Sequence, residues 1–213
     1  MGEKPCSLQN TGNCFMTFIK YLEPYEKELL EKGGKGGTVV TVSGLSGSGK
    51  SEAAKMISRK LNLSYHSMGS IMREMAAKSG MTIEEFCSSR GDEVDHLVER
   101  ETLAIAFRGD AVLDGRLTGW SVGNNADLKI FIFCPPEVRA SRVSKRDDQG
   151  FEAALRNIFR RDMSDRSKYI NLYGIDMLKT DIYDRIIDNS GTKQDLEERI
   201  DSIIASFRPG KAA

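Results

Sequence analysis

Residues 44–51 have the residue types and the spacing of a phosphate-binding loop. They run Gly-Leu-Ser-Gly-Ser-Gly-Lys-Ser, which is the complete pattern G-x-x-x-x-G-K-S. Glycines let backbone N–H groups turn toward phosphate oxygens, and a helix that starts after them adds its positive N-terminal end. Lys50 can reach the β- and γ-phosphates, and the hydroxyl of Ser51 can coordinate Mg²⁺. The sequence therefore predicts a nucleoside triphosphate site formed by Gly44, Leu45, Ser46, Gly47, Ser48, Gly49, Lys50 and Ser51.

Two arginines and an acid in other segments extend this candidate site. Asp114 ends the apolar run 111–113, where folds of this kind place a carboxylate that acts on Mg²⁺, often through water. Alternatively, Asp114 is a turn residue at the end of the strand, because Asp-Gly is a common pair in turns. Arg116 and Arg73 lie in separate segments, and the planar guanidinium binds phosphate through two hydrogen bonds. The pair could hold a second, acceptor phosphate, whereas either arginine alone could be a surface charge.

A third basic feature lies further along the chain. Between Val138 and Lys168 there are nine Lys/Arg residues against five Asp/Glu residues. Arg142 and Arg146 are four residues apart, so they share one face of a helix. A short polar segment and a second arginine-rich helical pattern follow. The arrangement predicts a lid that closes over polyphosphate and excludes water, with a solvated helix face as the alternative.

The segments around these residues alternate between strand-like and helix-like patterns, which is typical of an α/β fold with a parallel sheet. We expect helices over Ser51–Leu61 and within Asp92–Phe107. We also expect an amphipathic C-terminal helix, with Thr192 and Asp195 at the spacing of a capping box. The strand candidates are Thr38–Ser43, Leu63–His66, Ala111–Asp114, Leu128–Phe133 and Tyr183–Ile187.

Composition limits the possible function classes. The 213 residues carry 31 Lys+Arg and 31 Asp+Glu, so the formal net charge is zero, which argues against a protein that coats nucleic acid. The four cysteines form no C-x-x-C pair, which favours reduced thiols over a zinc site. No apolar run approaches the ~20 residues of a membrane span, and the N-terminus has no secretory pattern. We therefore expect a cytoplasmic protein without a membrane or nucleic-acid partner, and a monomer.

Residues 1–37 differ in pattern from the rest of the chain. Cys14–Leu22 predicts a helix with one apolar face, and Tyr25–Lys32 predicts a second helix that begins near Pro24. The glycine-rich residues 33–37 predict a flexible linker. The extension either packs on the domain as an accessory helix or binds a partner.

Several segments resemble cytidylate kinases. Residues 67–76 (Ser-Met-Gly-Ser-Ile-Met-Arg-Glu-Met-Ala) are similar to the nucleotide-acceptor segment of that family. Residues 114–120 (Asp-Gly-Arg-Leu-Thr-Gly-Trp) resemble its short, archaeal-type branch, as do residues 173–176 and 182–184. With the phosphate-binding loop, these motifs follow one another in the family's order over about residues 38–206.

The resemblance implies a P-loop nucleoside monophosphate kinase with a doubly wound, five-stranded parallel sheet flanked by helices. The kinase domain would span 38–213, with a helical acceptor-binding insertion at about 67–108 and a short lid at about 142–161. It implies ATP as phosphoryl donor, Mg²⁺, and CMP, with dCMP, as acceptor. The catalytic residues would be Lys50, Arg116, Arg142 and Arg146, the last two covering the adenine and phosphates of ATP.

On the acceptor side, the resemblance implies that Arg73 and Arg116 hold the α-phosphate and that Arg161 and Asp165 lie near the ribose. Gly69 would allow close approach of the nucleotide. The substrate-binding set is then Gly69, Arg73, Asp114, Gly115, Arg116, Arg161 and Asp165, and the metal-binding pair is Ser51 and Asp114.

The sequence departs from the bacterial-type pattern at positions that bear on the acceptor base. Leu117 stands where that branch has an acid that helps to recognise cytosine, and Lys168 replaces a phosphate-binding arginine. A kinase for AMP, UMP or another small phosphate is therefore an alternative. A nucleotide-binding switch is a further alternative, although residues 124–127 (Asn-Asn-Ala-Asp) lack the lysine of the guanine-recognition motif.

Overall fold

A computed structural model describes residues 16–208, apart from the side chains at positions 83, 84, 87 and 88. Its centre is a parallel sheet of five strands in the order β2-β3-β1-β4-β5. The expectation of an α/β fold with a five-stranded parallel sheet is confirmed. The strands are β1 (Val39–Gly44), β2 (Ser64–Ser67), β3 (Ala111–Gly115), β4 (Leu128–Phe133) and β5 (Arg185–Asp188).

The register brings the candidate residues to one edge of the sheet. In the pairing of β1 with β3, Val42 lies opposite Asp114, so the loop after β1 leaves the sheet beside that acid. Ser67, the last residue of β2, also lies opposite Asp114. Ligands of open α/β sheets bind at the carboxyl ends of the strands where the strand order reverses, and β1 is at that point here.

Helices cover both faces of the sheet. On one face, α2 and α9 pack on Val42, Ile130 and neighbouring strand residues. On the other face, α3, α4 and α5 pack on Val39 and Leu113. The described helices are α1 (Glu23–Glu31), α2 (Lys50–Leu61), α3 (Met68–Lys78), α4 (Ile83–Arg90), α5 (Glu93–Arg108), α6 (Thr118–Val122), α7 (Pro136–Asp147), α8 (Phe151–Tyr173) and α9 (Lys193–Ser206).

Element ends agree with expectation in some places and differ in others. The capping box at α9 is confirmed, because Thr192 Oγ1 accepts from Asp195 N at 3.2 Å and Thr192 N donates to Asp195 Oδ2 at 2.7 Å. The last strand begins at Arg185 and not at Tyr183, because Tyr183 N bonds within a turn to the carbonyl of Thr180. In the part of the chain that the structure describes, no helix is long and apolar enough to cross a membrane.

The helix expected over Cys14–Leu22 is wrong for residues 16–19, which are not helical; Cys14 lies outside the described residues. The backbone there bonds to the domain instead of to itself, since Phe18 N donates to Trp120 O at 3.0 Å. A 3₁₀ turn at Lys20–Leu22 follows and leads into α1. Ile19 and Leu22 are fully buried, so this segment packs on the domain as an accessory element.

The glycine-rich residues 33–37 are also attached to the domain, which differs from the expectation of a flexible linker. Lys35 Nζ lies 2.5 Å from Asp127 Oδ2, and Gly36 N donates to Phe107 O at 3.0 Å. Close approach requires glycine at position 37, where φ is +54° and a Cβ would lie 2.3 Å from Asp110 Oδ1.

The basic segment forms a helical hairpin in which α7 and α8 pack through Ala140, Val143, Ala154 and Ile158. The helix, short loop and helix expected from the sequence are confirmed, with the turn at residues 148–150. This hairpin lies over the phosphate-binding loop, as the contacts below show.

Candidate active site

The loop between β1 and α2 has the conformation that its glycines predict. Gly47 and Gly49 have φ of +76° and +87°, in the left-handed region that favours glycine. A Cβ on Gly49 would lie 2.2 Å from Asn189 Nδ2, so a side chain at this position would displace Asn189. The first turn of α2 begins at Lys50, so its unbonded N–H groups face the loop.

Two residues from distant elements hold the loop in place. Asn189, directly after β5, donates from Nδ2 to Ser48 O at 2.8 Å. Arg139, on α7 and 3 % exposed, donates to Ser46 O at 3.1 Å and to Asp162 Oδ2 at 2.7 Å. Sequence reasoning missed both residues. The position of Asn189 at the carboxyl end of the last strand is the one signal that could have found it.

A cleft of about 380 Å³ lies beside this loop and gathers most of the predicted site. Its walls come from the loop, the end of β3 and helices α2, α3, α5, α7 and α8. The predicted residues that line it are Ser46, Gly47, Lys50, Ser51, Gly69, Arg73, Asp114, Gly115, Arg116, Arg146, Arg161 and Asp165.

Other predicted residues lie elsewhere. Gly49 and Arg142 line a neighbouring cleft of about 230 Å³, which shares Gly47, Lys50, Ser51 and Arg146 with the first. Gly44 ends β1, Leu45 packs against the cluster around Ile19 and Leu22, and Ser48 is buried. These three residues shape the loop from behind and do not line either cleft.

Six cationic and four acidic side chains line the cleft, so positive charge is in excess there. Burial lowers the pKa of the Lys50 ammonium; nearby Arg116, Arg161 and Arg146 lower it further, while Asp114 opposes the shift. Burial likewise lowers the pKa of the Arg116 guanidinium. Cations that are gathered and desolvated in this way favour an anionic ligand, because its charge offsets their mutual repulsion.

Asp114 fits the role of a metal-binding acid. Its Oδ2 accepts from the hydroxyl of Tyr65 at 2.9 Å, and its Oδ1 is buried without a hydrogen-bond partner among the described residues. Burial and the Asp114 charge raise the pKa of Tyr65 to about 12, so Tyr65 stays a donor. Ser51 lines the same cleft from α2. An oxygen pair of this kind suits Mg²⁺, which is bound by few protein ligands together with substrate phosphates.

Within residues 16–208, no group of three or more His, Cys, Asp and Glu side chains could hold a metal ion by itself. A metal at Asp114 therefore requires oxygen ligands from a bound phosphate or from water. Sequence reasoning did not identify Tyr65, which lies two residues before the end of β2.

The arginines on the far side of the cleft are held by neighbouring groups. Arg116, directly after β3, forms an ion pair with Asp165 of α8. Arg73 of α3 donates to Ser70 Oγ at 2.8 Å, one turn away on the same helix. A Cβ on Gly69 would lie 3.7 Å from Arg73 Nη1, which is ordinary van der Waals contact, so the protein's own packing does not require glycine there. Arg116 and Arg73, which could bind a phosphate, therefore already have partners within the protein.

The two lid arginines differ in their contacts. Arg142 donates to Gly191 O at 3.2 Å, which connects α7 to the turn before α9. Arg146 bonds to Asp147 at 2.6 and 2.7 Å and reaches both clefts. Of the remaining basic residues, Arg166 pairs with Asp176 and does not line the cleft, whereas Lys168 lines it and pairs with Asp95 at 2.8 Å.

The acceptor side contains residues that sequence reasoning missed. Asp95 and Glu99 lie one turn apart on α5 and both line the cleft, beside the apolar Met68 and Val98. Their four-residue spacing inside a predicted helix was the available signal. Burial raises the pKa of Glu99 to about 7, and the neighbouring Asp95 adds to the increase.

Comparison with known proteins places this geometry in a family. A family model described as an AAA domain matches residues 43–155. The chain is similar to the cytidylate kinase of Pyrococcus horikoshii, with 44 % identity over 154 residues, which covers 71 % of this chain and 80 % of the relative. The cytidylate kinase of Methanocaldococcus jannaschii is 39 % identical over 164 residues, covering 75 % of this chain and 91 % of the relative.

The solved structures support the fold. Shikimate kinase from Bacteroides thetaiotaomicron superposes with a TM-score of 0.56 at 15 % identity, over 79 % of this chain and 96 % of that one. An uncharacterised protein from Eubacterium ventriosum superposes with a TM-score of 0.61 at 16 % identity, over 80 % and 98 %. The sheet, the loop and the archaeal relatives agree, and the chain belongs to the cytidylate kinase family of P-loop nucleoside monophosphate kinases.

Proposed function

We propose that this protein transfers the γ-phosphoryl group of ATP to CMP, with dCMP as a second acceptor. The observation that carries the proposal is one cleft with two sets of cations from separate elements. Lys50 lies at the phosphate-binding loop, and Arg73, Arg116 and Arg161 come from α3, the end of β3 and α8. A protein that only binds or hydrolyses a triphosphate has no need of the second set. The curated relatives named cytidylate kinases support the choice of acceptor.

The donor half would act through the loop and the lid. The backbone N–H groups of residues 46–50 would surround the β-phosphate, with Lys50 between the β- and γ-phosphates. Arg142 and Arg146 on α7 would cover the adenine and the polyphosphate. The ion pair of Arg146 with Asp147 would open to release its guanidinium. A lid that closes over the reacting groups excludes water, so the phosphoryl group reaches the acceptor and is not hydrolysed.

The acceptor half would bind the monophosphate through Arg73 and Arg116, with Arg161 and Asp165 near the ribose and Gly69 giving room to the nucleotide. The attacking oxygen belongs to an ionised phosphate, so the reaction requires no general base. Catalysis is then positioning of the two phosphates together with neutralisation of charge that shifts between their oxygens.

Ser51 and Asp114 would hold Mg²⁺, with Asp114 acting through water. The buried Oδ1 of Asp114, which has no hydrogen-bond partner among residues 16–208, supports this role. When bound, the metal supplies positive charge to the β- and γ-phosphate oxygens. Tyr65 fixes the orientation of the Asp114 carboxylate through its hydrogen bond to Oδ2.

A panel of nucleoside monophosphates with ATP and Mg²⁺, followed by ADP formation, tests the proposal. Strong stimulation by CMP and dCMP supports it, and preference for AMP, UMP or another phosphate contradicts the choice of acceptor. High affinity for GTP without acceptor-dependent turnover would identify a switch instead. Omission of Mg²⁺, with EDTA present, should abolish turnover. Sedimentation of the purified protein tests the accompanying expectation of a monomer.

A further inference from the structure

Four acids line the acceptor side and the loop side of the main cleft: Asp95, Glu99, Asp114 and Asp165. Three of them have an evident partner or task. Asp95 accepts from Lys168 Nζ with both oxygens, at 2.9 and 2.8 Å, and Asp165 pairs with Arg116. Asp114 lies at the metal-binding end beside Lys50. Glu99 remains, and it is 6 % exposed.

Glu99 is held by one oxygen and not by the other. Its Oε2 contacts the hydroxyl of Ser121 on α6, and no hydrogen bond to its Oε1 is found among the residues that the structure describes. The residue nonetheless lines the cleft. The free oxygen of Glu99 is therefore available to a ligand.

The contacts of Ser121 define what this oxygen can do. Ser121 Oγ also lies 2.9 Å from Leu117 O, a carbonyl that can only accept. The Ser121 hydroxyl has one proton to donate. When Glu99 is neutral with its proton on Oε2, Oε2 donates to Ser121 Oγ and Ser121 donates to the carbonyl of Leu117, so both contacts are hydrogen bonds. In the ionised state, Ser121 donates to Oε2. In each case Oε1 is left as a hydrogen-bond acceptor.

The position of this acceptor suits the base of a bound nucleotide. Leu117 directly follows Arg116, so one hydroxyl links Glu99 to the segment that bears a proposed phosphate ligand. The side chain of Leu117 is buried in the cluster with Ile19 and Leu22, so it offers the cleft no polar group. Met68 and Val98 supply apolar surface beside Glu99. Apolar walls for the faces of a ring and one fixed acceptor for its edge form a base-recognition site.

We propose that Glu99, positioned by Ser121, selects cytosine over uracil by accepting a hydrogen bond from the exocyclic amino group at C4. Cytosine presents an N–H donor at this position, whereas uracil presents a carbonyl oxygen. Two facing acceptors repel each other, and a buried acceptor without a donor loses its hydrogen bond. This inference rests on the proposed function, since it concerns the acceptor of the same reaction.

Competition between the two acceptors tests the proposal. Wild-type protein and each variant receive ATP, Mg²⁺ and equal amounts of CMP and UMP, and the ratio of CDP to UDP is measured during the initial phase. This ratio does not depend on the fraction of folded protein, so a loss of stability in a variant cannot imitate a loss of selectivity. Glu101→Met is the matched control, because Glu101 lies on the same helix and pairs with Arg108 on the surface.

In Glu99→Met the CDP/UDP ratio should fall by about tenfold or more, the usual effect of one lost hydrogen bond to substrate. Ser121→Ala should lower it by a smaller factor. Glu99→Gln should stay near the wild-type ratio, because its Nε2 can donate to Ser121 while Oε1 remains the acceptor. A Glu99→Met ratio like that of Glu101→Met would overturn the inference, as would equal losses in Glu99→Gln and Glu99→Met. Wild-type protein that forms no CDP would instead contradict the proposed function, and this inference with it.

Discussion

The donor and acceptor halves of the cleft are built in different ways. The donor half is one contiguous loop, and residues far away in sequence hold its backbone: Asn189 bonds to Ser48 and Arg139 bonds to Ser46. The acceptor half is assembled from α3, α5, α8 and the end of β3. Its charged side chains are bonded mainly to one another, as in the pairs Arg116–Asp165 and Lys168–Asp95.

This difference has a consequence for how each half meets its ligand. The loop needs no exchange of ion pairs, because it offers a phosphate its own backbone N–H groups and the N-terminal turn of α2. On the acceptor side an incoming monophosphate must compete with the Asp165 carboxylate for the guanidinium of Arg116. Such exchange favours a ligand with two negative charges over a neutral one and links nucleotide binding to the position of α8. We therefore expect substitutions in the loop to lower turnover with every acceptor, and substitutions on the acceptor side to change mainly the kinetic constants for the acceptor.

The largest effect is expected from Lys50→Ala. Lys50 lines both clefts at the start of α2, and its removal should lower kcat by roughly 10³-fold with every acceptor. Initial rates of ADP formation measure this effect. Lys60→Ala, on the surface of the same helix, is the matched control and should retain wild-type rates. Normal CMP phosphorylation by folded Lys50→Ala protein would contradict the mechanism.

Arg116→Ala should separate the two halves. The loss of a partly buried guanidinium at the acceptor phosphate should lower kcat/KM for CMP by about 10²–10³-fold, with KM for ATP changed by less than about twofold. Full kinetics at varied ATP and CMP supply both values. Arg108→Ala, near the start of β3 and paired on the surface with Glu101, serves as control. Equal losses toward both substrates would show that Arg116 is not specific to the acceptor.

A smaller, reciprocal effect is expected from Arg73→Ala and Arg142→Ala. One charge-assisted contact to phosphate is worth about 1.5–3 kcal/mol, so each variant should raise one KM by about tenfold or more. Arg73→Ala should raise KM for CMP, and Arg142→Ala, which lines the neighbouring cleft, should raise KM for ATP. If Arg73→Ala instead raised KM for ATP and Arg142→Ala raised KM for CMP, ATP would bind at the Arg73 end of the site and CMP at the Arg142 end, which would contradict the account.

The last effect concerns the stability of the fold and its dependence on pH, and it leaves the donor and acceptor kinetics aside. Because burial raises the pKa of Glu99 to about 7, the folded state binds its proton more tightly than the unfolded state does. Stability from this group is present at acidic pH and is lost as pH rises toward and through about 7. Between about pH 5 and about pH 8, wild-type protein should lose up to the order of 3 kcal/mol relative to Glu99→Gln.

Urea unfolding of the two proteins at both pH values measures this difference. The neighbouring titratable groups Asp95, Lys168, Tyr169 and Tyr173 remain in both proteins, so their contributions cancel in the comparison. Parallel pH dependences for wild type and Glu99→Gln would mean that Glu99 is ionised throughout this range.

The same contrast explains how much of the structure the sequence could predict. Buried strands such as Leu128–Phe133 are mostly apolar, and the loop motif is local, so both follow from neighbouring residues. The helix expected over Cys14–Leu22 is wrong at residues 16–19 because its backbone bonds to Trp120 and Asn124, about 100 positions away. Apolar spacing within a short window carries no information about such partners.

The site residues were also predictable to different degrees. Lys50, Ser51 and Asp114 follow from motif and strand position, whereas the grouping of Arg73, Arg116 and Arg161 around one acceptor rests on the family resemblance. Asn189, Arg139 and Tyr65 act through contacts between segments that are 49 to 141 residues apart. Apart from the strand-end position of Asn189, nothing local marks these residues, and the folded arrangement of strands and helices brings them to their partners.

The central claim is that donor and acceptor phosphates occupy adjoining parts of one site. A compound that joins adenosine and cytidine through a pentaphosphate chain tests it most directly by inhibition kinetics. The account predicts competitive inhibition against both ATP and CMP, and binding at least about 10²-fold tighter than either substrate, because the second half binds intramolecularly. Competition with one substrate and none with the other would contradict the account.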